Sequence, residues 1–387
     1  MLGWSAEQLI AEARQETGLA DFGDGRFLDG LRRLVAGIEA ESALSPRGVL
    51  ALRERMRRLL RNQLRFRADL AAYPEILEQE LRAPVFVQGL PRVGSTKLHR
   101  LLAESGCFQS LLFWQVYNHA RVPGVAAGME DPRRADAVEY IRWRSAQNPK
   151  TLAGHYVEAN EPEEETYLLE YTFSNYWMTG YFEIPGYLAS LADADHDAAY
   201  LYLRQALQYL QWQFHRAAPR PWVLKSPLNF GFEASIARNF PDAKFLVLHR
   251  DPVKVIPSVT ALAGQMRRLY CRDEPDEPHF AAWALPEYAA EARRHMAWRA
   301  SAPAGQVMDI GYADIQDREM EMMPALCEFL GQPLTVDAAA QMRAWLAKNP
   351  QHQHGVHEYS LRQSGLTEAE IRAAFGPYLE RFKAYLG

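Results

Sequence analysis

The chain has 387 residues and a formal net charge of −5, with 48% hydrophobic and 24% charged residues. These proportions are ordinary for a soluble globular protein, and the negative charge argues against a nucleic-acid partner held by bulk electrostatics. Three widely spaced cysteines match neither a disulfide framework nor a metal site, and no apolar run has the length of a membrane span. We therefore expect a cytoplasmic α/β enzyme in which any anion is bound by local geometry.

The first eighty or so residues have the apolar spacing of helices. Ser5 is predicted to cap the first helix, and Ser45-Pro46 begins a long helical pattern that stops before Pro74. We interpret the arginines of this long pattern as a solvated face and not as a nucleic-acid surface. Residues 1–82 are predicted to form a helical segment packed on the core.

Short apolar runs alternate with helical patterns from residue 83 onward. Such runs, rich in Val, Leu and Phe, are typical of parallel strands buried on both faces. The sequence thus predicts an α/β domain over 83–387, with a parallel sheet flanked by helices and helical insertions, the main one at about 115–215. The predicted strands are 84–89, 221–226, 243–249 and 305–312, with a weaker candidate at 110–114.

The stretch VFVQGLPRVGSTKLHRLL places a glycine-bounded loop between a predicted strand and a predicted helix. Two glycines separated by four residues allow the backbone to turn several N–H groups toward one centre. The helix N-terminus adds partial positive charge, Ser95 and Thr96 offer hydroxyls, and Arg92 and Lys97 supply charge. This pattern predicts a P-loop-like anion site.

The loop differs from that of a nucleotide triphosphatase at one position. A phosphoryl-transfer P-loop has lysine directly after the second glycine, whereas this chain has Ser95 there and Lys97 two residues later. A sulfuryl group carries less charge than a phosphoryl group and needs no metal clamp, so the loop fits a 5′-phosphosulfate better than a triphosphate. A small-molecule kinase that uses ATP and Mg²⁺ and a non-catalytic nucleotide-binding protein are the alternatives.

A second candidate anion loop lies in KFLVLHRDPVKVIPSVTAL. It ends a predicted strand at His249 and puts Arg250 at the strand tip, after which Asp251 and Pro252 cap and open a helix. Ser258 follows on that helix. An arginine at a strand end and a serine on the adjoining helix can share one dianionic phosphate.

Together the two loops resemble the PAPS-dependent sulfotransferases, in particular the bacterial branch with a GLPRSGTT-like loop and an HRDP…PS segment. The resemblance runs over most of the chain and includes EPEEETYLLE, WVLKSP and NPQHQHGVHEYSL. It implies a P-loop-like α/β sheet and transfer of a sulfuryl group from 3′-phosphoadenosine 5′-phosphosulfate (PAPS). The implied acceptor is a hydroxyl, less often an amine, of a small molecule, and no metal is expected.

The resemblance also implies roles for individual residues. Arg92 to Thr96 would bind the 5′-phosphosulfate, while Arg250 and Ser258 would bind the 3′-phosphate that distinguishes PAPS from ATP. A late loop containing His354 and Gly355 would cover the nucleotide. The implied PAPS-binding residues are Arg92, Val93, Gly94, Ser95, Thr96, Lys97, Arg250, Ser258, His354 and Gly355.

Sulfuryl transfer needs a base for the acceptor and positive charge near the leaving phosphate oxygen. The animal cytosolic enzymes have their base histidine in a K-T-H strand end, but this chain reads K-S-P from Lys225. Lys225 can still meet the leaving phosphate, and the base must come from elsewhere. The stretch GHYVEANEPEEETYLL offers clustered acids whose pKa values are raised by one another and by burial. The predicted catalytic residues are Glu164 as base, His155 as its orienting partner, Glu161 as a further candidate, Lys225 and Arg92.

Two alternatives accompany these assignments. The acids of that stretch could instead stabilise a helix start, and the histidine-rich stretch at 352–357 could bind zinc, although a loop that contacts nucleotide or acceptor is favoured. Residues 166–191 are dense in aromatic side chains, which are mostly expected in the core. Beside the candidate base, Trp177 and Tyr181 are predicted to form a wall that suits a flat or lipophilic acceptor.

Overall fold

A five-stranded parallel sheet lies at the centre of the protein. The computed structural model describes residues 2–125, 129–192, 194–272, 274–350, 353, 355 and 357–386. Within those ranges the strands are β1 (Val85–Gly89), β2 (Gln109–Ser110), β3 (Trp222–Lys225), β4 (Lys244–His249) and β5 (Val307–Gly311). Their order is β2-β3-β1-β4-β5, and every neighbouring pair is parallel. The predicted parallel sheet is confirmed.

The direction in which the chain crosses the sheet reverses between β1 and β4. Strands β2 and β3 lie on one side of β1, whereas β4 and β5 lie on the other. In an open α/β sheet such a reversal leaves a crevice at the carboxyl ends of the strands, where ligands bind. The loops that follow β1 and β4 are the two candidate anion loops, so the topology brings them to one place.

The weak strand prediction at 110–114 is largely wrong. Only Gln109 and Ser110 pair with β3, and the apolar run then becomes helical from Phe113. The backbone N–H of Leu112 donates to the Gln115 side chain at 3.0 Å, which supports this turn into a helix. A short apolar run has no periodicity that separates a buried strand from a buried helix.

Helices flank the sheet and make up the remaining ordered elements. Within the described ranges there are nineteen α-helices. They are α1 (Ala6–Thr17), α2 (Phe27–Glu41), α3 (Pro46–Ala72), α4 (Ser95–Glu104), α5 (Phe113–Tyr117), α6 (Pro132–Gln147), α7 (Thr151–Gly154), α8 (Thr166–Leu169), α9 (Pro185–Leu191), α10 (His196–Phe214), α11 (Glu233–Asn239), α12 (Pro252–Arg267), α13 (Glu277–Arg299), α14 (Tyr312–Asp317), α15 (Glu319–Phe329), α16 (Val336–Lys348), α17 (Leu361–Ser364), α18 (Glu368–Ala374) and α19 (Gly376–Arg381). Of the helices in these ranges, none combines the length and apolar character needed to cross a membrane.

Helices α1 and α3 begin where the sequence predicts. Ser5 caps α1 in a reciprocal capping box with Gln8, and the Ser45 hydroxyl accepts the Gly48 N–H at the start of α3. The long helix ends at Ala72, before Pro74. These boundaries are set by residues within one turn of the helix end, which is why the sequence predicts them.

The arginines of α3 do not all face solvent. Arg57 and Arg61 pair with acids on the surface, as predicted. Arg55 and Arg58 are buried instead, the former in an ion pair with Glu170. The solvated-face interpretation is therefore wrong for these two side chains, because α3 packs against the helical insertion.

Candidate active site

The loop after β1 has the backbone of an anion cradle. Arg92 has φ of +68°, and Gly94, at the N-cap of α4, has φ of +85°. Successive residues that alternate into the left-handed region turn their N–H groups toward one centre. At Gly89 only glycine fits, because a Cβ there would lie 2.3 Å from the Leu248 carbonyl oxygen on the adjacent strand. The predicted glycine-bounded loop therefore depends on close packing between β1 and β4.

The two candidate anion loops meet at Arg92. The guanidinium of Arg250 donates to the Arg92 carbonyl oxygen at 2.8 Å, and Arg92 Nε donates to the Ser258 hydroxyl at 3.3 Å. Arg92 also donates to the Gly154 carbonyl at 2.7 Å, and the Arg250 guanidinium lies 4.0 Å from the centre of the Tyr312 ring. These contacts hold two half-buried guanidinium groups close together.

Neither guanidinium has an acidic partner in the part of the chain that the structure describes. No carboxylate oxygen there lies within 4.0 Å of Arg92 or Arg250. Burial, and then the charge of Arg250, lower the pKa of Arg92. Two neighbouring positive charges without a counter-ion are the electrostatic signature of an anion site.

Two residues predicted to bind PAPS, Lys97 and Val93, have side chains directed elsewhere, and a third, Ser258, is buried beside Arg92. The Lys97 ammonium donates to the Gln316 carbonyl at 3.2 Å and pairs with Glu319 at 3.3 Å, so it joins α4 to α14 and α15. Val93 is fully buried, which leaves only its backbone for an anion. Ser258 is 1% exposed and its hydroxyl is bonded to Arg92.

The late loop is described only in part. His354 lies outside the described residues, as does His352, so the zinc alternative cannot be built from them. Gly355 has φ of +104°. The His357 ring nitrogen Nε2 lies 2.9 Å from the Ser258 carbonyl oxygen, which connects the end of this loop to α12.

A lysine–glutamate pair is located at the carboxyl end of β3. The Lys225 ammonium donates to one oxygen of Glu164, and the other oxygen accepts from the Thr166 hydroxyl at 3.3 Å. Glu165 accepts the backbone N–H of Lys225 at 2.7 Å, which docks this segment on the strand end. The pair is almost fully buried, with side-chain exposures of 3% for Lys225 and 5% for Glu164.

Glu163 is the direct partner of His155, a link that the sequence did not reveal. His155 Nε2 lies 3.1 Å from Glu163 Oε1, and the same oxygen accepts the backbone N–H of Glu164 at 3.0 Å. Burial by itself raises the pKa of Glu163, but His155 and then Lys225 bring it below its usual value. Three adjacent glutamates predict a cluster, but a sequence carries no signal for which member faces the histidine.

The acids do not act as helix caps, and Glu161 lies apart from the others. Helix α8 begins only at Thr166, and the carboxyl groups of the three preceding glutamates bond to His155, Lys225 and the β3 end instead. Glu161 is half-buried, and burial raises the pKa of its carboxyl. It does not line the cavity that contains Glu164.

Three side chains of the kinds that bind metal ions lie close together at the same place. One ligand atom each from His155, Glu163 and Glu164 lies within 4.8 Å of the others. Lys225 already supplies a positive charge to Glu164, so the carboxylate does not depend on a metal for its charge balance.

One cavity of about 330 Å³ joins these groups. The two candidate anion loops contribute Arg92, Gly94, Ser95, Thr96 and Arg250 to its lining. The segment with the predicted base and the end of β3 contribute His155, Glu164 and Lys225. Trp177 and Tyr181 line it as well. A wall that the sequence analysis missed comes from one face of α13, which carries Phe280, Trp283, Ala284, Glu287, Tyr288 and Glu291. Their helical spacing is the signal that could have revealed this face.

The fold and the cavity define a class of protein. A parallel sheet with an anion loop at its reversal point, two arginines without an acidic partner among the described residues and a buried lysine–glutamate pair are the parts of a group-transfer enzyme of the P-loop-like α/β class. A family model described as "Sulfotransferase family" matches residues 84–336, and the chain belongs to that family. The predicted family is thereby confirmed.

Two solved structures are similar over nearly the whole chain. The sulfotransferase STF9 from Mycobacterium avium has 26% identity and a TM-score of 0.87, with 99% of this chain and 97% of that chain covered. The sulfotransferase STF1 from Mycobacterium tuberculosis H37Rv has 24% identity and a TM-score of 0.82, with 97% and 99% covered. The second likeness concerns the fold alone. No match was found among curated proteins.

Proposed function

We propose that the protein transfers a sulfuryl group from PAPS to a hydroxyl, less readily an amine, of a small acceptor. The observation that carries the proposal is one cavity lined by Arg92 and Arg250, which have no acidic partner among the described residues, and by the Lys225–Glu164 pair. Positive charge for an anionic donor and a carboxylate for the acceptor proton are thus next to each other, which is what sulfuryl transfer requires.

The donor would lie on the two anion loops. The N–H groups from Arg92 to Thr96 and the hydroxyls of Ser95 and Thr96 would bind the 5′-phosphosulfate, while Arg250 and Ser258 would bind the 3′-phosphate. Gly355, in the loop tied to α12 through His357, belongs to the segment that would cover the nucleotide. Lys97 is not included, because its ammonium is already paired with Glu319.

Glu164 would take the proton of the acceptor hydroxyl as the new oxygen–sulfur bond forms and the sulfur–oxygen bond to the phosphate breaks. Protonation removes the charge that holds Lys225, which frees the ammonium to stabilise the leaving phosphate oxygen. His155 would act through Glu163, whose carboxylate fixes the backbone N–H of Glu164. In this mechanism His155 is a positioning residue.

Titration calorimetry on the full chain tests the donor. Adenosine 3′,5′-bisphosphate is expected to bind without Mg²⁺ and more tightly than ATP with Mg²⁺. A preference for ATP with Mg²⁺ would favour a kinase that uses His155, Glu163 and Glu164 as metal ligands.

Transfer itself is measured with sulfur-labelled PAPS and a panel of alcohols, phenols and amines. Label in a hydroxyl acceptor is the expected result. Tight bisphosphate binding with no labelled product from any member of the panel would contradict catalysis and leave a nucleotide-binding protein.

A further inference from the structure

A second pair of carboxyl groups faces the same cavity and has no role in the transfer proposed above. Glu287 and Glu291 lie one turn apart on α13, and both line the cavity. Glu287 is half-buried, and Glu291 is only 6% exposed. Their position, on a helix that contributes none of the anion-loop or base residues, separates them from the reacting groups.

The Glu291 side chain is almost fully buried, and it borders the cavity. Among the described residues no basic nitrogen lies within 4.0 Å of its carboxyl group and no donor is hydrogen-bonded to it. Arg294, one turn further along α13, lies over the Phe232 ring at 5.1 Å instead. A buried carboxyl that lacks both an ion pair and a donor is costly in an apo protein and is satisfied when a ligand brings the missing group.

The raised pKa of Glu291 is what a carboxyl group shows when it is buried without a close cation. Burial raises the pKa of Glu291 to about 8, and although Arg294 opposes this, Glu287 and Glu233 add to it. A cation bound beside Glu291 would oppose these effects and favour the carboxylate. The opposite side of the cavity carries the positive charges of Arg92 and Arg250, where the anionic donor is proposed to bind.

The side chains around Glu291 favour a particular kind of cation. Trp283 and Tyr288 lie on the same face of α13, and Tyr176 and Trp177 line the cavity beside them. Aromatic faces combined with carboxylates bind ammonium groups, because the rings and the charge both attract a partly desolvated cation. A purely apolar acceptor would leave Glu291 buried and unpaired.

We propose that the acceptor carries an ammonium group, separate from the hydroxyl that receives the sulfuryl group, and that Glu291, assisted by Glu287, binds it. The inference rests on the proposed function, since it names the class of acceptor for that cavity. Two attachment points, the hydroxyl at Glu164 and the ammonium at Glu291, would orient the acceptor relative to the donor. The chemical class is thus an amphipathic amino alcohol or aminophenol.

Calorimetry with matched phenols tests this on the full chain, with and without adenosine 3′,5′-bisphosphate. The pairs are tyramine with 4-propylphenol and 4-(4-aminobutyl)phenol with 4-pentylphenol, in which a methyl group replaces the ammonium. At least one amine is expected to bind about tenfold or more tightly than its partner. Glu291→Gln should remove that preference and change the affinity for the neutral phenols less than about twofold. The loss of amine preference should be larger in Glu291→Gln than in Glu287→Gln, because Glu287 is only half-buried.

Glu277→Gln is the matched control, because it removes the same charge from the same helix at a position that does not line the cavity. It should leave the preference for amines unchanged. Equal affinities within both pairs, no binding by any of the four phenols, or a preference that survives Glu291→Gln would overturn the inference.

The two proposals fail separately. Preference for amines without binding of the bisphosphate would overturn the sulfuryl-transfer proposal alone. Labelled product from PAPS with no preference for amines would overturn the ammonium site alone.

Discussion

Arg250 shows how a single side chain connects the sheet to the chemistry proposed for its edge. Its guanidinium bonds the Arg92 carbonyl and lies over Tyr312, so its direction is set before any ligand is bound. No acid neutralises it within the described residues. A guanidinium held in this way loses little freedom when it binds a phosphate, which favours both affinity and discrimination between nucleotides.

Arg250→Ala should weaken adenosine 3′,5′-bisphosphate binding by about 1.5–3 kcal/mol, the value of a charged hydrogen bond. Adenosine 5′-phosphate, which lacks the 3′ group, should lose far less in the same calorimetric titration. Arg268→Ala is the control, because that arginine pairs with Glu274 on the surface and should leave both affinities unchanged. Equal losses for the two nucleotides would show that Arg250 is not the 3′-phosphate ligand.

Glu164→Gln should lower kcat for sulfuryl transfer by about 10²–10⁴-fold, because an amide cannot take the acceptor proton. Bisphosphate affinity should be kept or increased, since Lys225 is no longer held by a carboxylate and can meet the 5′-phosphate. Glu161→Gln serves as the comparison in steady-state kinetics. A loss there as large as in Glu164→Gln would mean that the base is misassigned.

The stability of the protein should respond to pH through Glu291. Its pKa of about 8 in the folded chain is above the ordinary glutamate value, so folding favours the protonated carboxyl. This contribution is complete below about pH 4.5 and is lost as the pH rises toward 8. Relative to Glu291→Gln, the wild type should lose on the order of 3–4 kcal/mol between pH 5 and 8, as measured by urea unfolding. A difference between the two that is constant with pH would contradict the assignment.

At the scale of the elements, the start of α3 packs against the residues that directly follow α12, the helix that carries Ser258. The backbone N–H of Ser45 donates to the Tyr270 carbonyl oxygen at 2.9 Å, and Leu44 forms a bridge with Cys271. Gly48 allows this approach, because a Cβ there would lie 1.9 Å from the same carbonyl oxygen. The N-terminal helices thereby support one wall of the site.

Gly48→Ala should therefore destabilise the protein by roughly 2 kcal/mol or more, even though alanine is the better helix former by about 1 kcal/mol. Gly376→Ala, at the start of α19, is the control, since nothing lies within 4 Å of its added Cβ. It should be neutral or slightly stabilising in the same urea titration. Equal stabilities for the two variants would show that α3 and α12 separate easily.

At the scale of the whole molecule, a single hydrophobic core runs through the N-terminal helices and the sheet. Leu52 and Leu59 of α3 belong to the same cluster of buried residues as Phe86 and Leu246 of the strands. Buried polar contacts cross the same boundary, among them the Arg55–Glu170 ion pair. A core shared in this way argues that residues 1–82 depend on the rest of the chain.

Limited proteolysis with mass spectrometry tests the predicted arrangement of 1–82 and 83–387. We expect both parts to be cleaved together as the chain unfolds, because removing either one exposes the shared core. A fragment of residues 83–387 that resists the protease and keeps its bisphosphate affinity would show that the N-terminal segment is dispensable.

The sequence by itself determined the features whose causes are local. The helix starts at Ser5 and Ser45 follow from caps within one turn, and the loop at Gly89–Gly94 follows from the backbone angles that glycine permits. The four main strands follow from short apolar runs that must be buried on both faces. Parallel pairing then places the loops after β1 and β4 at one sheet edge.

Only the tertiary structure decided where individual side chains point. Lys97 belongs to the loop by sequence, yet its partner Glu319 lies far along the chain and draws it out of the cavity. Glu163, not Glu164, meets His155, and α13 supplies a wall that no motif marks. Such choices depend on contacts between distant segments and on the balance of burial and charge there, and a local pattern contains neither.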